Sequence, residues 1–154
     1  MNVKDTARRQ YLRLVDNAAK QLRSLRMPAN GWLVTVRKAL GMSGAEVAAR
    51  MGVSRNAIYQ AERNERDQAI TIAQMEKVAA AMGCRFVYAV VPEKSLEDVI
   101  RAQAFKKAEA RIRRVSAHMS LEQQSLTKAQ TDERIAMLAQ ELVRDMPPDF
   151  WEVK

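Results

Sequence analysis

The sequence is poor in the residues from which disulfides, metal sites and aromatic cores are built. Its 154 residues include one cysteine, Cys84, one histidine, His118, and 5% aromatic residues. A single cysteine excludes an intramolecular disulfide, and without a Cys/His cluster there is nothing from which to build a zinc site. We expect no metal and no cofactor, a reducing cytoplasm as the location, and Cys84 as a small buried hydrophobe.

Long apolar runs and catalytic residue sets are also missing. No stretch approaches the roughly 18 apolar residues that a membrane span needs, and the N-terminus lacks the apolar core of a signal peptide. We find no Ser/His/Asp set, no glycine-rich phosphate loop and no clustered carboxylate pair. These absences predict a soluble protein that is not an enzyme.

What the sequence has is positive charge, which lies mainly at its N-terminus. The formal net charge is +8, and residues 1–40 hold nine Lys or Arg against two Asp or Glu. Residues 41–91 hold six against five, and residues 92–154 hold eleven of each. The excess predicts a polyanionic partner.

Residues 5–26 are predicted to form one basic amphipathic helix. Helical spacing places six apolar side chains on one face: Tyr11, Leu14, Val15, Ala18, Leu22 and Leu25. Arg9, Arg13 and Lys20 lie elsewhere on its surface. They either follow DNA phosphates or form a solvated face on a helix that packs against the core.

Capping signals predict where the later helices begin. The run WLVTVRKAL from Trp32 mixes strand-forming residues with helical spacing, and we interpret it as helix. Ser43 and Glu46 form a predicted capping box, Thr71 and Gln74 form another, and Ser54 is an N-cap. Gly83 can end a helix in a left-handed conformation. Beyond Pro92 we expect two long helices, the second ending at Pro147.

The stretch SGAEVAARMGVSRNAIYQAERN indicates a helix-turn-helix. Gly52 supplies the turn, Ala48 is small where the helices cross, and Val53, Ile58 and Ala61 bury one face of the second helix. The opposite face carries the residue types that read base edges and bind phosphates. The predicted DNA-binding residues are Ser43, Ser54, Arg55, Asn56, Tyr59, Gln60, Arg63 and Arg66. The alternative is an ordinary helical hairpin with a polar face.

Residues 32–83 resemble the Cro/phage-repressor class of helix-turn-helix domains. That class often pairs an Arg of its first helix with a Glu late in the recognition helix, and Arg37 and Glu62 occupy the matching positions. The resemblance therefore implies a structural ion pair between them. Two separate surface charges are the alternative.

Nearly the full length is similar to a narrower bacterial family, mobile mystery protein A. The resemblance rests on GWLVTVRKALGMS, ITIAQMEKVAAAMGCRFVYAVVP, SLED with QAFKKA, HMSLEQQ, and the terminal Pro, Phe and Trp. It implies a mobile-element regulator encoded beside a Fic-domain protein, with an antitoxin-like role. No Ser/Thr-x-x-x-Glu-Gly/Asn motif of the kind that inhibits Fic proteins is present, because no Glu precedes Gly or Asn.

A β-strand is predicted after the helix-turn-helix, where the sequence becomes β-branched and aromatic. It comprises Cys84, Arg85, Phe86, Val87, Tyr88, Ala89, Val90 and Val91, and Pro92 closes it. A lone strand leaves backbone groups unpaired, so we expect it to pair with its counterpart in a second copy. Pairing with the WLVTV run of the same chain is the alternative.

The predicted fold is mainly α: a Cro/repressor-like helix-turn-helix bundle with an added β-strand and helical extensions. The predicted segments are a basic helix (1–30), the DNA-binding domain (31–83), the dimerisation strand (84–92) and a C-terminal helical extension (93–154). Within the last, Phe150 and Trp151 either anchor into a partner or clasp their own core. We expect a homodimeric, autorepressing antitoxin that binds double-stranded DNA. The alternative is an antitoxin that inhibits a Fic-type toxin directly, with little role for DNA.

Overall fold

A computed structural model describes residues 2–121 and 126–153, and all the regular secondary structure in this part of the chain is helical. Its seven helices are α1 (Val3–Leu22), α2 (Trp32–Ala39), α3 (Gly44–Met51), α4 (Arg55–Arg66), α5 (Ile72–Ala81), α6 (Leu96–Leu121) and α7 (Lys128–Asp145). The chain divides into two compact units, residues 24–89 and residues 1–23 with 90–154. The mainly α prediction is confirmed. The last three residues of HMSLEQQ lie outside the described residues.

The unit of residues 24–89 contains the four short helices α2 to α5 around one apolar core. The core consists of Leu33, Val47, Ala48, Ile58, Ala61, Met75, Val78 and Met82. Local signals explain its helix boundaries: the hydroxyl groups of Ser43, Ser54 and Thr71 each accept the amide N–H three residues later. Gly83, at φ +74°, follows the end of α5 as predicted.

The predicted β-strand at residues 84–91 is wrong for the single chain. The segment has no helix or strand, and its backbone hydrogen bonding stops at Cys84, whose N–H donates to the carbonyl of Ala79 at 2.9 Å. A strand needs a neighbour, and the only other strand-like run, WLVTV, lies in α2. The prediction for Cys84 is also wrong, because its side chain is exposed just beyond α5.

The other unit packs α6 against α7, with α1 also in contact with α6. Its core is formed by Ala104, Ala108, Ile135, Leu142 and Phe150. The two alanines are fully buried, so α7 can approach α6 closely. Asp16 of α1 caps α6, because its Oδ1 accepts the N–H of Leu96 at 2.9 Å.

The predicted buried face of α1 is only partly correct. Tyr11 and Leu14 are each 68% exposed and Leu25, beyond the end of the helix, is 50% exposed, whereas the buried residue is Ala19. Helical spacing identifies a face, but the position of the neighbouring helix decides which part of that face is covered.

Phe150 clasps its own core. Its ring is buried between α6 and α7, and its carbonyl accepts from Nε2 of Gln103 at 2.8 Å. Lys107 donates to the carbonyl of Asp149. Trp151, in edge-to-face contact with the Phe150 ring, remains half exposed. Of the two interpretations of the aromatic pair, the structure therefore supports the clasp for Phe150.

Candidate nucleic-acid interface

The turn between α3 and α4 is held by a left-handed glycine and two caps. Gly52 has φ +68°, and the N–H of Val53 returns to the carbonyl of Ala48 at 3.0 Å. Ser54 then begins α4 by accepting from the N–H of Ala57 at 3.2 Å. This local geometry is the one that the sequence predicted, except that Val53 is 42% exposed rather than buried.

One face of α4 is buried and the opposite face is open. Ile58 and Ala61 are 1% and 3% exposed, and Glu62 is buried beside them. The side chains that remain exposed on α4 are Arg55, Asn56, Gln60, Arg63 and Arg66. The bidentate donors and acceptors that recognise guanine and adenine edges are therefore accessible on one helix.

Arg37 of α2 forms an ion pair with Glu62, which ties α4 to the domain. Arg37 Nε donates to Glu62 Oε1 at 2.5 Å, a second guanidinium nitrogen donates to Oε2 at 3.2 Å, and a third reaches the carbonyl of Met42 at 3.2 Å. The hydrogen bond to Glu62 raises the pKa of Arg37 above its ordinary value, and burial opposes part of the shift. The structure thus brings together the two charges that the resemblance paired.

Tyr59 packs against α3 instead of pointing freely outward. A Cβ atom on Gly44 would lie 2.6 Å from Cζ of the Tyr59 ring, so the ring fills the space that the glycine leaves. The guanidinium of Arg37 lies 5.6 Å from the ring centroid. The expectation that this side chain joins the outward face is therefore only partly met, because the ring is half-buried in the α3–α4 contact.

A hydrogen-bonded network orders the middle of the exposed α4 face. Gln60 donates through Nε2 to Asn64 Oδ1 at 2.8 Å and accepts from Arg63 at 2.7 Å. To contact a base, the Gln60 amide must break these hydrogen bonds and form new ones with the base edge. Asn64 was not among the predicted site residues, although its spacing of four from Gln60 is the one at which side chains meet on a helix.

The two serines of the predicted site act first as caps. Ser43 and Ser54 each accept a backbone N–H, at 3.1 and 3.2 Å, so their oxygens hold the starts of α3 and α4. A hydroxyl group that accepts in this way still has a hydrogen to donate, which a phosphate oxygen can accept. Each of the two side chains is therefore able to cap its helix and to contact a DNA phosphate at the same time.

The basic residues predicted on α1 belong to the other compact unit. Arg9, Arg13 and Lys20 are exposed on that helix. Across residues 2–121 and 126–153, no three His, Cys, Asp or Glu side chains group in a way that could hold a metal ion. No helix in the same residues is long and apolar enough to cross a membrane.

Comparison with known proteins identifies the domain. Residues 33–88, which run from the second residue of α2 through α5 into the irregular segment, match a helix-turn-helix family. No curated protein and no solved structure matches the chain. The similarity to mobile mystery protein A stays a prediction. Residues 33–88 are thus similar to helix-turn-helix domains of the Cro/C1 type, a class of DNA-binding transcriptional regulators.

Proposed function

We propose that the protein is a sequence-specific DNA-binding transcriptional regulator that reads the major groove with α4. The observation that carries the proposal is the division of α4 into a buried face, anchored by Ile58 and Glu62, and an exposed face of base-reading residues. A helix held this firmly can place several side chains against base edges at once.

In this proposal each exposed side chain of α4 has a role that its chemistry suits. Arg55 binds a guanine edge, and Asn56 and Gln60 bind adenine edges. Arg63 and Arg66, further along the helix, bind the phosphate backbone, as do the capping hydroxyls of Ser43 and Ser54. Tyr59 contributes by keeping α4 in place on α3.

The protein acts as a homodimer in this proposal, with residues 84–91 at the contact between copies. Within the described part of the chain, no backbone hydrogen bond joins residues 85–91 to another backbone group. Val87, Tyr88 and Val90 are 65%, 64% and 90% exposed. Antiparallel pairing across a two-fold axis would satisfy these groups, and such symmetry suits two recognition helices about one DNA turn, ~34 Å, apart.

The dimer is tested by sedimentation of the parent protein and of Val87→Pro, which removes one backbone donor from the segment. We expect the parent to be dimeric at tens of micromolar and the variant to be monomeric, with weaker DNA binding. A parent that is monomeric at that concentration would contradict the dimer. It would not contradict DNA binding, which the gel-shift assay tests.

The regulated gene is proposed to be the protein's own, in an operon with a Fic-type toxin in the cytoplasm. This part rests on the similarity to mobile mystery protein A. A second candidate function, direct inhibition of the toxin, is favoured by α6, where Val99, Phe105 and Val115 are 45%, 51% and 44% exposed. These exposed apolar side chains lie within residues 92–154, which hold equal numbers of basic and acidic residues, and they suit a protein partner better than DNA.

A gel-shift assay with the DNA upstream of the protein's own gene separates these functions. We expect purified protein alone to retard this DNA at moderate salt and to leave an equally long random duplex unshifted. Equal retardation of both duplexes would contradict autorepression. If neither duplex shifts but a co-expressed Fic-domain protein loses activity, direct inhibition is the correct function.

A further inference from the structure

The last turn of α4 caps the first turn of α2. The carboxylate of Glu65 accepts the backbone N–H of Trp32 at 2.6 Å and that of Leu33 at 2.9 Å. The first N–H groups of a helix have no partner within the helix and carry its positive dipole end, so a carboxylate there is well placed. Glu65 lies more than thirty residues away in sequence, and helical spacing does not reveal the contact.

The start of α2 leaves this place open for Glu65. Its N-cap residue is Gly31, which makes no side-chain cap, and the first turn of α2 contains no acidic residue. A Cβ atom at Gly31 would lie 2.7 Å from Oε1 of Glu65, and Gly31 has φ +94°, a conformation that other residues rarely adopt. A larger residue at this position would therefore displace the carboxylate that caps the helix.

Glu65 and Glu62 together attach α4 to α2 at two separate points. Glu62 binds Arg37 in the last turn of α2, whereas Glu65 binds the first turn of the same helix. Ile58 and Ala61 already pack α4 into the core, and either contact alone would add a restraint at only one end of α2. Two contacts at opposite ends of α2 fix the direction of the α4 axis.

We propose that Glu65 is a positioning residue for DNA reading, which sets the angle at which α4 presents Arg55, Asn56 and Gln60. The inference rests on the proposed function. Base contacts need side chains placed within a fraction of an ångström, whereas phosphate contacts carry no sequence information and tolerate displacement. Loss of Glu65 should therefore reduce sequence discrimination more than it reduces overall affinity for DNA.

A purely stabilising role for Glu65 predicts something different. In that case its replacement lowers the melting temperature, but the molecules that remain folded discriminate between DNA sequences as the parent does. The ratio of affinities for a preferred and a random duplex, measured well below the melting transition, separates the two roles.

The experiment uses full-length protein with Glu65→Gln and Glu65→Ala. The matched control is Glu76→Gln, which removes the same charge at an exposed position of α5. The preferred duplex is the one that the parent protein enriches from a random library. All proteins are compared at 10 °C, after circular dichroism has shown equal helicity.

We expect both Glu65 variants to lower the preferred-to-random affinity ratio by about tenfold or more, since this is the discrimination that one misplaced bidentate base contact forfeits. Glu65→Gln should lose less, because its amide keeps one acceptor oxygen. Glu76→Gln should match the parent. A lower melting temperature with an unchanged ratio in Glu65→Gln would overturn the inference. A parent that enriches no sequence would overturn the proposed function, and this inference with it.

Discussion

The Arg37–Glu62 pair provides the sharpest test of how the helix-turn-helix domain is held together. We predict that Arg37→Met destabilises the domain by about 3 kcal/mol, because it leaves the carboxylate of Glu62 buried without its cation. The side chain of Glu62 is 5% exposed and that of Arg37 is 12% exposed, so water replaces little of the lost interaction. This loss is a large fraction of the stability of a small domain.

The partner variants make the prediction specific to the pair. Arg37→Met with Glu62→Met removes both charges, and we expect most of the lost stability to return, because no unpaired charge remains buried. Lys38→Met is the matched control: it makes the same substitution at the next, exposed position of α2 and should change stability by less than about 0.5 kcal/mol.

Urea unfolding followed by circular dichroism measures these differences. For an m-value of about 1 to 3 kcal/mol/M, a loss of 3 kcal/mol lowers the midpoint of the domain's transition by about 1 to 3 M. If Arg37→Met costs no more than Lys38→Met, the pair does not hold α4 in place. If the double variant is less stable than either single variant, burial of an unpaired charge is not the cause.

Two further predictions concern local stability. Ser54→Ala removes the acceptor for the N–H of Ala57 and should lower the stability measured by thermal unfolding by about 1 kcal/mol. Ser54→Asp can still cap the helix and should cost little. Equal melting temperatures for Ser54→Ala and the parent would contradict the capping role. Phe150→Ala should cost about 3 to 5 kcal/mol in the unit containing α6 and α7, because it empties a fully buried site. Replacement of the half-exposed Trp151 by Ala should cost much less stability. A larger loss for Trp151→Ala than for Phe150→Ala would contradict the clasp.

Features that depend on neighbouring residues could be predicted from the sequence. The caps at Ser43 and Ser54 and the turn at Gly52 involve residues within a few positions of one another, and the structure forms all three. Burial of Ile58 and Ala61 follows from their helical spacing once those boundaries are known.

Features that depend on a distant partner could not be predicted in this way. Residues 84–91 have the composition of a strand, but composition does not supply the second strand that pairing requires. The exposure of Tyr11 on α1 depends on where α6 lies. The capping of α2 by Glu65 joins two helices that are separated by a third, so no local pattern indicates it.

The central claim is that α4 reads DNA sequence, and selection of binding sites from a random duplex library tests it most directly. We predict that the parent protein enriches one sequence and that Arg55→Ala, Asn56→Ala and Gln60→Ala each weaken binding to it by about 1 to 3 kcal/mol, with relaxed preference at one base pair. The control variant Lys77→Ala, which removes an exposed charge of α5, should enrich the same sequence as the parent and bind it with the parent's affinity. A parent that enriches no sequence, or three α4 variants that enrich the same sequence with the parent's affinity, would contradict the claim.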